Sequence, residues 1–323
     1  MILHYIHLIQ SFEYNVLLLD HFQAKFNREI RRIFIILEIL YPDKIIQTYI
    51  HKLQSTDRSV ISNVLEIIEN QYPDKIKQTL MPLIDETSIV EKLNSGSAFL
   101  NSVLQSENDI IIDLAASEEL WESALAIHTI IDNHLESLIP QIDWQWSLKN
   151  SFIQELISKE LKLSDSTFKN IIQPFIKTSD ITEDIAMYTT LDKTIILKGI
   201  NLFSGLTAEE VFQIAQIAIE ERYLAEEVIF QEGDVGDSMF IIINGSVSVY
   251  NQKKEITTLE KGECFGEMAL LDREPRSSSI RTVTDTAVLK IDEESFYELV
   301  AGNIEIIQGI VKILSKRLRQ SIA

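Results

Sequence analysis

The amino-acid sequence predicts an α+β chain in two parts, an all-α N-terminal region followed by a β jelly-roll barrel with flanking helices. Only two of the ten glycines lie in residues 1–199, while eight lie in 200–323. Five of the six prolines show the opposite bias and come before residue 200. Long stretches almost without glycine are typical of helices, whereas frequent glycines among valine, isoleucine and phenylalanine are typical of strands and turns. We therefore predict two domains, residues 1–199 and 200–323, with the boundary near residues 198–201.

Length, charge and cysteine content exclude several classes of function. The 323 residues are enough for about two domains, and 46% hydrophobic with 24% charged residues is ordinary for a folded protein. The net charge of −20 repels phosphate backbones and anionic lipids, so no nucleic-acid partner is expected. No apolar stretch approaches the roughly 20 residues that span a bilayer, and the N-terminus lacks the features of a secretory signal. Because Cys264 is the single cysteine, no internal disulfide or cysteine-based zinc site is expected, and a cytoplasmic location fits.

Apolar residues of the first part recur at the spacing of amphipathic helices. They predict one helix that ends before Pro42 and another that ends before Pro73, through Ile33, Ile36, Leu37 and Leu40 in the first and Val60, Val64, Ile67 and Ile68 in the second. Residues 37–45 and 65–76 echo each other, and a weaker third copy covers 117–140. These units resemble HEAT-type helical repeats, which implies a stacked scaffold. An irregular helical bundle with a chance echo is the alternative.

The second part has short apolar runs separated by turn signals. Thr207 and Glu210 form a capping-box pattern at the start of a helix predicted over 208–218. Asn244-Gly245 is the strongest signal for a hairpin. Strands are predicted at 228–230, 239–243, 247–249 and 283–291, and helices at 185–196, 294–299 and 304–319, with a loop at 178–182. Many short strands with regular turns are typical of a closed or jelly-roll barrel.

The segment 265–279 carries the chemistry of the predicted site. Gly266 lets the backbone approach a ligand closely, and the residues after it can form a helical turn whose free N–H groups favour an anion. Arg276 can make a bidentate, charge-assisted contact with that anion. Ser277 adds a hydroxyl and a backbone N–H, and Glu267 adds an acceptor suited to a sugar hydroxyl. The pattern favours a ligand with one phosphate charge beside a ribose, although spacing alone does not name it.

Residues 200–323 resemble the cyclic nucleotide-binding domain of kinase regulatory subunits, cyclic-nucleotide-gated channels and catabolite-activator-type regulators. The resemblance is carried by Phe265-Gly266-Glu267, Ala269-Leu270-Leu271 and Pro275-Arg276-Ser277, and by upstream glycines at 233, 236, 245 and 262. It implies that Arg276 neutralises the cyclic phosphate and that Glu267 binds the ribose 2′-hydroxyl. The implied ligand-binding residues are Phe265, Gly266, Glu267, Met268, Arg276, Ser277 and Ser278. Serine at 278, where kinase-type members usually have alanine, is a small departure.

The predicted function is a cyclic nucleotide sensor that relays its state through the helical scaffold. Serine after the arginine resembles the bacterial members that bind cAMP, so cAMP is favoured over cGMP, and no further cofactor or metal is expected. No nucleophile–base pair and no Walker loop is visible, so an enzyme is not expected. The alternative is a structural adaptor whose barrel no longer responds to nucleotide.

Two further features concern protein partners. The residues Ile307, Val311, Leu314 and Leu318 are spaced by four, three and four positions. This spacing predicts an apolar seam that packs on the barrel or pairs with a second chain in a homodimer. Residues 30–85 and 190–205 resemble the soluble tail of bacterial nucleotide-exchange-type transporter fusions, which implies a membrane transporter as a partner.

Overall fold

The computed structural model describes residues 5, 7–8, 11–12, 15–41, 58–84, 105–163, 166–175, 188–251, 254–268, 274–311 and 315. The chain forms two compact units, Met1–Ile110 and Ile111–Ala323. The domain boundary expected at residues 199 and 200 falls inside the second unit and stays a prediction. Within the described ranges, no helix combines the length and the hydropathy needed to cross a membrane.

Helices build the described part of the first unit, and they include α1 (Val16–Leu40), α2 (Arg58–Gln71) and α3 (Asp74–Ile84). Helix α1 ends at Leu40, as the sequence predicts. Its buried stripe near that end runs through Ile30, Phe34 and Leu37. The amphipathic pattern had included Ile36 and Leu40, which are instead 55% and 63% exposed. The stripe that packs against α2 and α3 is therefore rotated relative to the one predicted.

The helices continue along the chain as α4 (Glu107–Ala115), α5 (Leu120–Asp132), α6 (Ser151–Leu163), α7 (Ser166–Ile172), α8 (Thr190–Lys198) and α9 (Ala208–Ile217). Short 3-10 helices lie at Glu136–Gln141, Ser147–Lys149 and Asn201–Phe203. Pro140 lies inside the first of these, whereas the repeat pattern placed it in the first turn of an α-helix. HEAT-like repeats are thus not shown by these helices and stay a prediction.

Capping residues set the starts of α8 and α9. The Thr189 hydroxyl accepts from the N–H of Asp192, and the Asp192 carboxylate accepts from the N–H of Thr189. Helix α8 therefore begins at Thr190 and not at the predicted residue 185. The same arrangement of Thr207 and Glu210 starts α9 and confirms the capping box predicted there. The predicted loop at 178–182 lies outside the described residues.

Side chains of α5 and α6 contact α8 and α9 within the second unit. The Phe212 ring of α9 lies 4.9 Å from the Trp121 ring and 6.2 Å from the Phe152 ring, measured between centroids. Lys159 of α6 forms an ion pair with Asp192 of α8. The helices directly before the strands are therefore joined to the helical region by both apolar and charged contacts.

Strands from residue 219 onward form two four-stranded antiparallel sheets, ordered β1-β8-β3-β6 and β2-β7-β4-β5. The strands are β1 (Ile219–Tyr223), β2 (Val228–Phe230), β3 (Ser238–Asn244), β4 (Ser246–Asn251), β5 (Lys254–Glu260), β6 (Cys264–Phe265), β7 (Ser279–Thr282) and β8 (Thr286–Asp292). Helix α10 (Glu293–Gly302) follows. The predicted succession of helices, a β domain and further helices is confirmed.

Strand β3 separates two hydrophobic cores. Its residues Met239, Ile241 and Ile243 pack with α8, α9 and α10, whereas Phe240 and Ile242 pack between the two sheets. Successive side chains of a strand point to opposite faces, so both faces of β3 are buried. Ser238, at the start of β3, shares its parity with Phe240 and so belongs to the face between the sheets.

The Asn244-Gly245 signal marks a corner between the sheets, and the predicted hairpin is wrong. Strand β3 pairs with β8 and β6, while β4 pairs with β5 and β7, so the two strands joined at Gly245 do not pair. Gly245 has φ +87°, and a Cβ there would lie 2.5 Å from the carbonyl oxygen of Asp285. Glycine supplies the positive φ that a hairpin turn and this corner both require. At this corner it is also the residue that fits beside the Asp285 carbonyl, because it has no Cβ.

The described part of the C-terminal segment packs with a different face from the predicted seam. Residues 304–311 are helical, and Ile306 and Ile310 are buried in the same core as Met239. Ile307 and Val311 are 39% and 53% exposed, so the seam does not pack on the barrel there. Leu314 and Leu318 lie outside the described residues, and pairing with a second chain stays a prediction.

Replacing Gly245 with alanine is expected to lower the free energy of unfolding by roughly 2–4 kcal/mol, from backbone strain plus overlap with Asp285. Gly262→Ala is the control, because Gly262 has φ +88° but no atom within 4 Å of an added Cβ, and it should cost only about 1 kcal/mol. Urea unfolding measures both values. Equal losses would contradict the crowded corner.

Candidate functional site

The residues implied as ligand-binding surround one cavity of about 290 Å³ in the β domain. All seven line it, namely Phe265, Gly266, Glu267, Met268, Arg276, Ser277 and Ser278. Strands β4, β5 and β7 contribute Val249, Thr257, Leu259 and Ile280, and the lining is completed by Phe230, Cys264, Glu274 and Pro275. The Glu267 and Arg276 side chains thus share an open cavity of the size at which small-ligand sites begin.

The loop after β2 fixes the backbone of Arg276. The Arg276 N–H donates to the Asp234 carbonyl, and the Gly233 N–H donates to the Arg276 carbonyl, each at 2.8 Å. The Asp234 carboxylate in turn accepts from the Gln231 N–H at 2.8 Å. This part of the upstream glycine pattern therefore acts as a support for the arginine.

The Arg276 side chain is buried and is held at one edge by neutral acceptors. It is 7% exposed, and its guanidinium carbon lies 4.1 Å from the centroid of the Phe230 ring. Nη1 donates to the Ser238 carbonyl at 2.8 Å and to the Gly266 carbonyl at 3.3 Å. Nη2 donates to the Ser238 hydroxyl at 3.3 Å. A cation–π contact of this kind contributes about 0.5–2 kcal/mol.

The other edge of the guanidinium has no partner in the described part of the chain. A guanidinium has five N–H donors, and three of the Arg276 donors are engaged by Ser238 and Gly266. The Nε–H is buried and makes no hydrogen bond, and one N–H of Nη2 also remains. Because Ser238 occupies the edge formed by Nη1 and Nη2, the two remaining donors share the Nε/Nη2 edge. That pair of parallel donors matches a bidentate anion.

No carboxylate among the described residues lies within ion-pair distance of Arg276. Burial lowers the pKa of its guanidinium, and the more distant carboxylates of Asp237 and Asp234 oppose that change. Arginine nevertheless stays protonated in proteins, so the site holds a buried positive charge. A buried charge without an ion-pair partner is costly, and the described residues supply no such partner to this arginine.

Gly266 allows the close approach that Arg276 needs. Its φ is +73°, and a Cβ at this position would lie 2.6 Å from Nη1 of Arg276 and 3.1 Å from the Ser238 carbonyl oxygen. Glycine therefore satisfies both the backbone conformation and the space available.

Three phenylalanines form the apolar floor beneath the guanidinium. The Phe240 and Phe265 rings stack at 5.1 Å between centroids with an interplanar angle of 12°. Phe230 lies 6.0 Å from Phe240 and 5.9 Å from Phe265. Phe265 is 4% exposed, so it lines the cavity mainly as a packing residue.

The segment 265–279, here called the cassette, contributes polar groups to the cavity lining. Glu267 and Ser278 are half-buried, while Ser277 and Met268 are exposed. None of the described residues accepts a hydrogen bond from the backbone N–H groups of Gly266, Glu267 or Met268. The anion-binding pattern requires N–H groups of this kind at the start of the turn. The middle of the cassette, 269–273, lies outside the described residues.

Sequence reasoning missed Ser238 and Phe230 as parts of the site. Neither belongs to the 265–279 segment, and both reach Arg276 from strands that lie far from it in sequence. The alternation of β3 offered a usable signal, because Ser238 has the same parity as the inward-facing Phe240.

A second cavity in the described structure is larger but has the wrong charge for an anion. It measures about 760 Å³ and lies beside the start of α10. Five acidic residues line it, namely Asp237, Asp292, Glu293, Glu294 and Glu298. Such a surface repels a phosphate, so the smaller cavity at Arg276 is the candidate site.

The two-sheet fold with helices at both ends, together with a buried arginine facing a small cavity, defines the class of the C-terminal part. The family described as "Cyclic nucleotide-binding domain" matches residues 220–303. This part of the chain is therefore a cyclic nucleotide-binding domain.

Individual relatives and solved structures are similar to about two fifths of the chain. The chain is 32% identical over 130 residues to the cyclic AMP receptor protein of Thermus thermophilus, which covers 39% of this chain and 60% of that protein. It is 32% identical over 125 residues to a cGMP-dependent protein kinase of Plasmodium berghei, a match that covers 39% of this chain and 14% of that kinase. Among solved structures, the Thermus thermophilus catabolite activator protein is similar at 30% identity, with a TM-score of 0.34, 38% of this chain and 59% of that chain covered.

The chain spans 60% or less of the length of these two curated relatives. The comparisons identify no family for the helical region before the β domain. The resemblances to HEAT repeats and to transporter fusions stay predictions.

The contact between Gly266 and Arg276 predicts energetic coupling between the two positions. Gly266→Ala should lower the free energy of unfolding in the wild type through both φ strain and overlap with the guanidinium. In an Arg276→Ala background the overlap is absent, so the loss should be smaller by about 1 kcal/mol. Chemical denaturation of the four proteins measures the difference. The same loss in both backgrounds would show that the side chain does not approach Gly266.

Proposed function

We propose that the C-terminal domain binds a cyclic mononucleotide and that the chain acts as a non-catalytic sensor of it. One observation carries this proposal: Arg276 lines a small cavity, and the Nε/Nη2 edge of its buried guanidinium has no partner among the described residues. A singly charged cyclic phosphate supplies two acceptor oxygens for that edge. The Glu267 carboxylate on the same wall suits a ribose hydroxyl, and the N–H groups of residues 266–268 suit the remaining oxygens.

The strand residues in the cavity lining support cAMP as the preferred ligand. Strands β4, β5 and β7 contribute the apolar side chains of Val249, Leu259 and Ile280 and one hydroxyl, that of Thr257. Guanine carries more polar groups on its pairing edge than adenine, so it loses more hydration in such surroundings. Ser277 after the arginine favours the same choice by resemblance. The relatives themselves include proteins named for cAMP and for cGMP.

Relay of the bound state is supported by contacts on both sides of the β domain. The N–H of Glu293, the first residue of α10, donates to the Asp237 carbonyl at 2.7 Å, and the next residue, Ser238, holds Arg276. A movement of Arg276 toward a phosphate therefore acts next to the start of α10. On the other side, α8 and α9 contact the helical region through Asp192 and Phe212.

The setting of the proposed sensor follows from its ligand and its surface. A cyclic nucleotide second messenger is met in the cytoplasm, and the absence of a spanning helix in the described residues is compatible with that location. Protein partners, among them a transporter or a second copy of the chain, belong to this proposal as receivers of the signal. Ligand binding shifts such a receiver only by the difference in affinity between its two states.

Isothermal titration of the full chain with cAMP, and separately with cGMP, tests the proposal. Binding with cAMP tighter than cGMP is expected. Arg276→Ala should weaken binding by about 10- to 100-fold, because it removes two charge-assisted hydrogen bonds, and Glu267→Gln by about 3- to 10-fold.

Arg281→Ala is the matched control. Arg281 lies on β7, is ion-paired with Glu226 and does not line the cavity, so its loss should leave the affinity unchanged. No binding of either nucleotide at about 100 μM would favour a structural adaptor instead. Undiminished binding by Arg276→Ala would remove the proposed site.

A further inference from the structure

The Ser238 hydroxyl lies between the buried guanidinium of Arg276 and the carboxylate of the preceding residue, Asp237. Ser238 is 2% exposed. The hydroxyl donates to Oδ1 of Asp237 at 3.0 Å and accepts from Nη2 of Arg276 at 3.3 Å. Its carbonyl accepts from Nη1 at 2.8 Å. One residue thus takes a full edge of the guanidinium and also satisfies the neighbouring carboxylate.

A direct ion pair between Asp237 and Arg276 would weaken an anion site at this arginine. A carboxylate in direct contact with a guanidinium forms a strong bidentate pair, which occupies two of the donors. It would also cancel the charge that attracts a phosphate. Asp237 is one residue away from Ser238 and attracts Arg276 electrostatically, yet it forms no ion pair with it among the described contacts. The serine hydroxyl fills the place between them.

We propose that Ser238 is a positioning residue that presents the Nε/Nη2 edge of Arg276 to the ligand and keeps Asp237 from pairing with that arginine. The inference rests on the proposed function, because it assigns a role toward the same anion. It differs from a packing role, since the hydroxyl matters through Asp237 and not through its volume.

Three variants separate these roles by titration with cAMP and, in parallel, cGMP. Ser238→Ala should weaken binding about tenfold, because Asp237 gains access to the guanidinium. Ser238→Thr keeps the hydroxyl and should bind within about threefold of the wild type. In Ser238→Ala combined with Asp237→Asn, the competing charge is gone, so most of the lost affinity should return.

Ser248→Ala is the matched control for the loss of a buried serine hydroxyl. Ser248 is 4% exposed, lies on β4 and does not line the cavity, so binding should stay within about twofold of the wild type. If Ser238→Ala does not fold, Ser238→Cys replaces it, because a thiol has similar size and is a poor hydrogen-bond partner.

The outcomes distinguish this inference from the proposed function. If the wild type binds neither nucleotide, the proposed function fails. If the wild type binds and Ser238→Ala binds equally well, the positioning role is overturned. It is also overturned if Asp237→Asn does not restore binding to Ser238→Ala, because a merely structural defect would persist in the double variant.

Discussion

A buried positive charge held by neutral groups is the constraint on which the site depends. Arg276 is anchored by carbonyl and hydroxyl oxygens and by the face of Phe230, while no described carboxylate pairs with it. Among the described residues, one charged edge therefore has no acceptor, and a buried edge without one weakens the folded state relative to a paired arginine. A bound anion supplies the acceptors and removes that penalty, so the penalty of the ligand-free protein makes the free energy of binding more favourable. Gly266 leaves room for the guanidinium, and the N–H of Gly233 holds the backbone of Arg276 through its carbonyl.

The double-sided burial of β3 connects that charge to the helices. Ser238 faces the space between the sheets, and Met239 faces the core shared with α10 and residues 304–311. The carbonyl of Asp237 receives the first N–H of α10 just before the strand begins. A short stretch of backbone thus contacts the site on one side and the C-terminal helices on the other.

Sequence patterns predicted the parts that are set by local rules. The capping box at Thr207 and the end of α1 depend on neighbouring residues, and the cassette residues from 265 to 278 lie in one segment. Strand β1 was missed because its Glu-Glu-Arg run at an exposed sheet edge has no apolar alternation. The Asn244-Gly245 corner was mistaken for a hairpin, since the dipeptide fixes φ but not the partner of each strand. Ser238 was missed because its contact with Arg276 joins positions 38 residues apart.

The Nε–H group of Arg276 offers the most direct test of whether the ligand supplies the missing acceptor. Its proton and nitrogen resonances report whether that donor gains an acceptor. At a cAMP concentration that saturates binding, the account predicts a large downfield shift of this proton and protection from exchange with water. An unchanged Arg276 Nε–H resonance in the saturated protein would contradict the account, because the ligand would then be held without the edge that no described residue occupies.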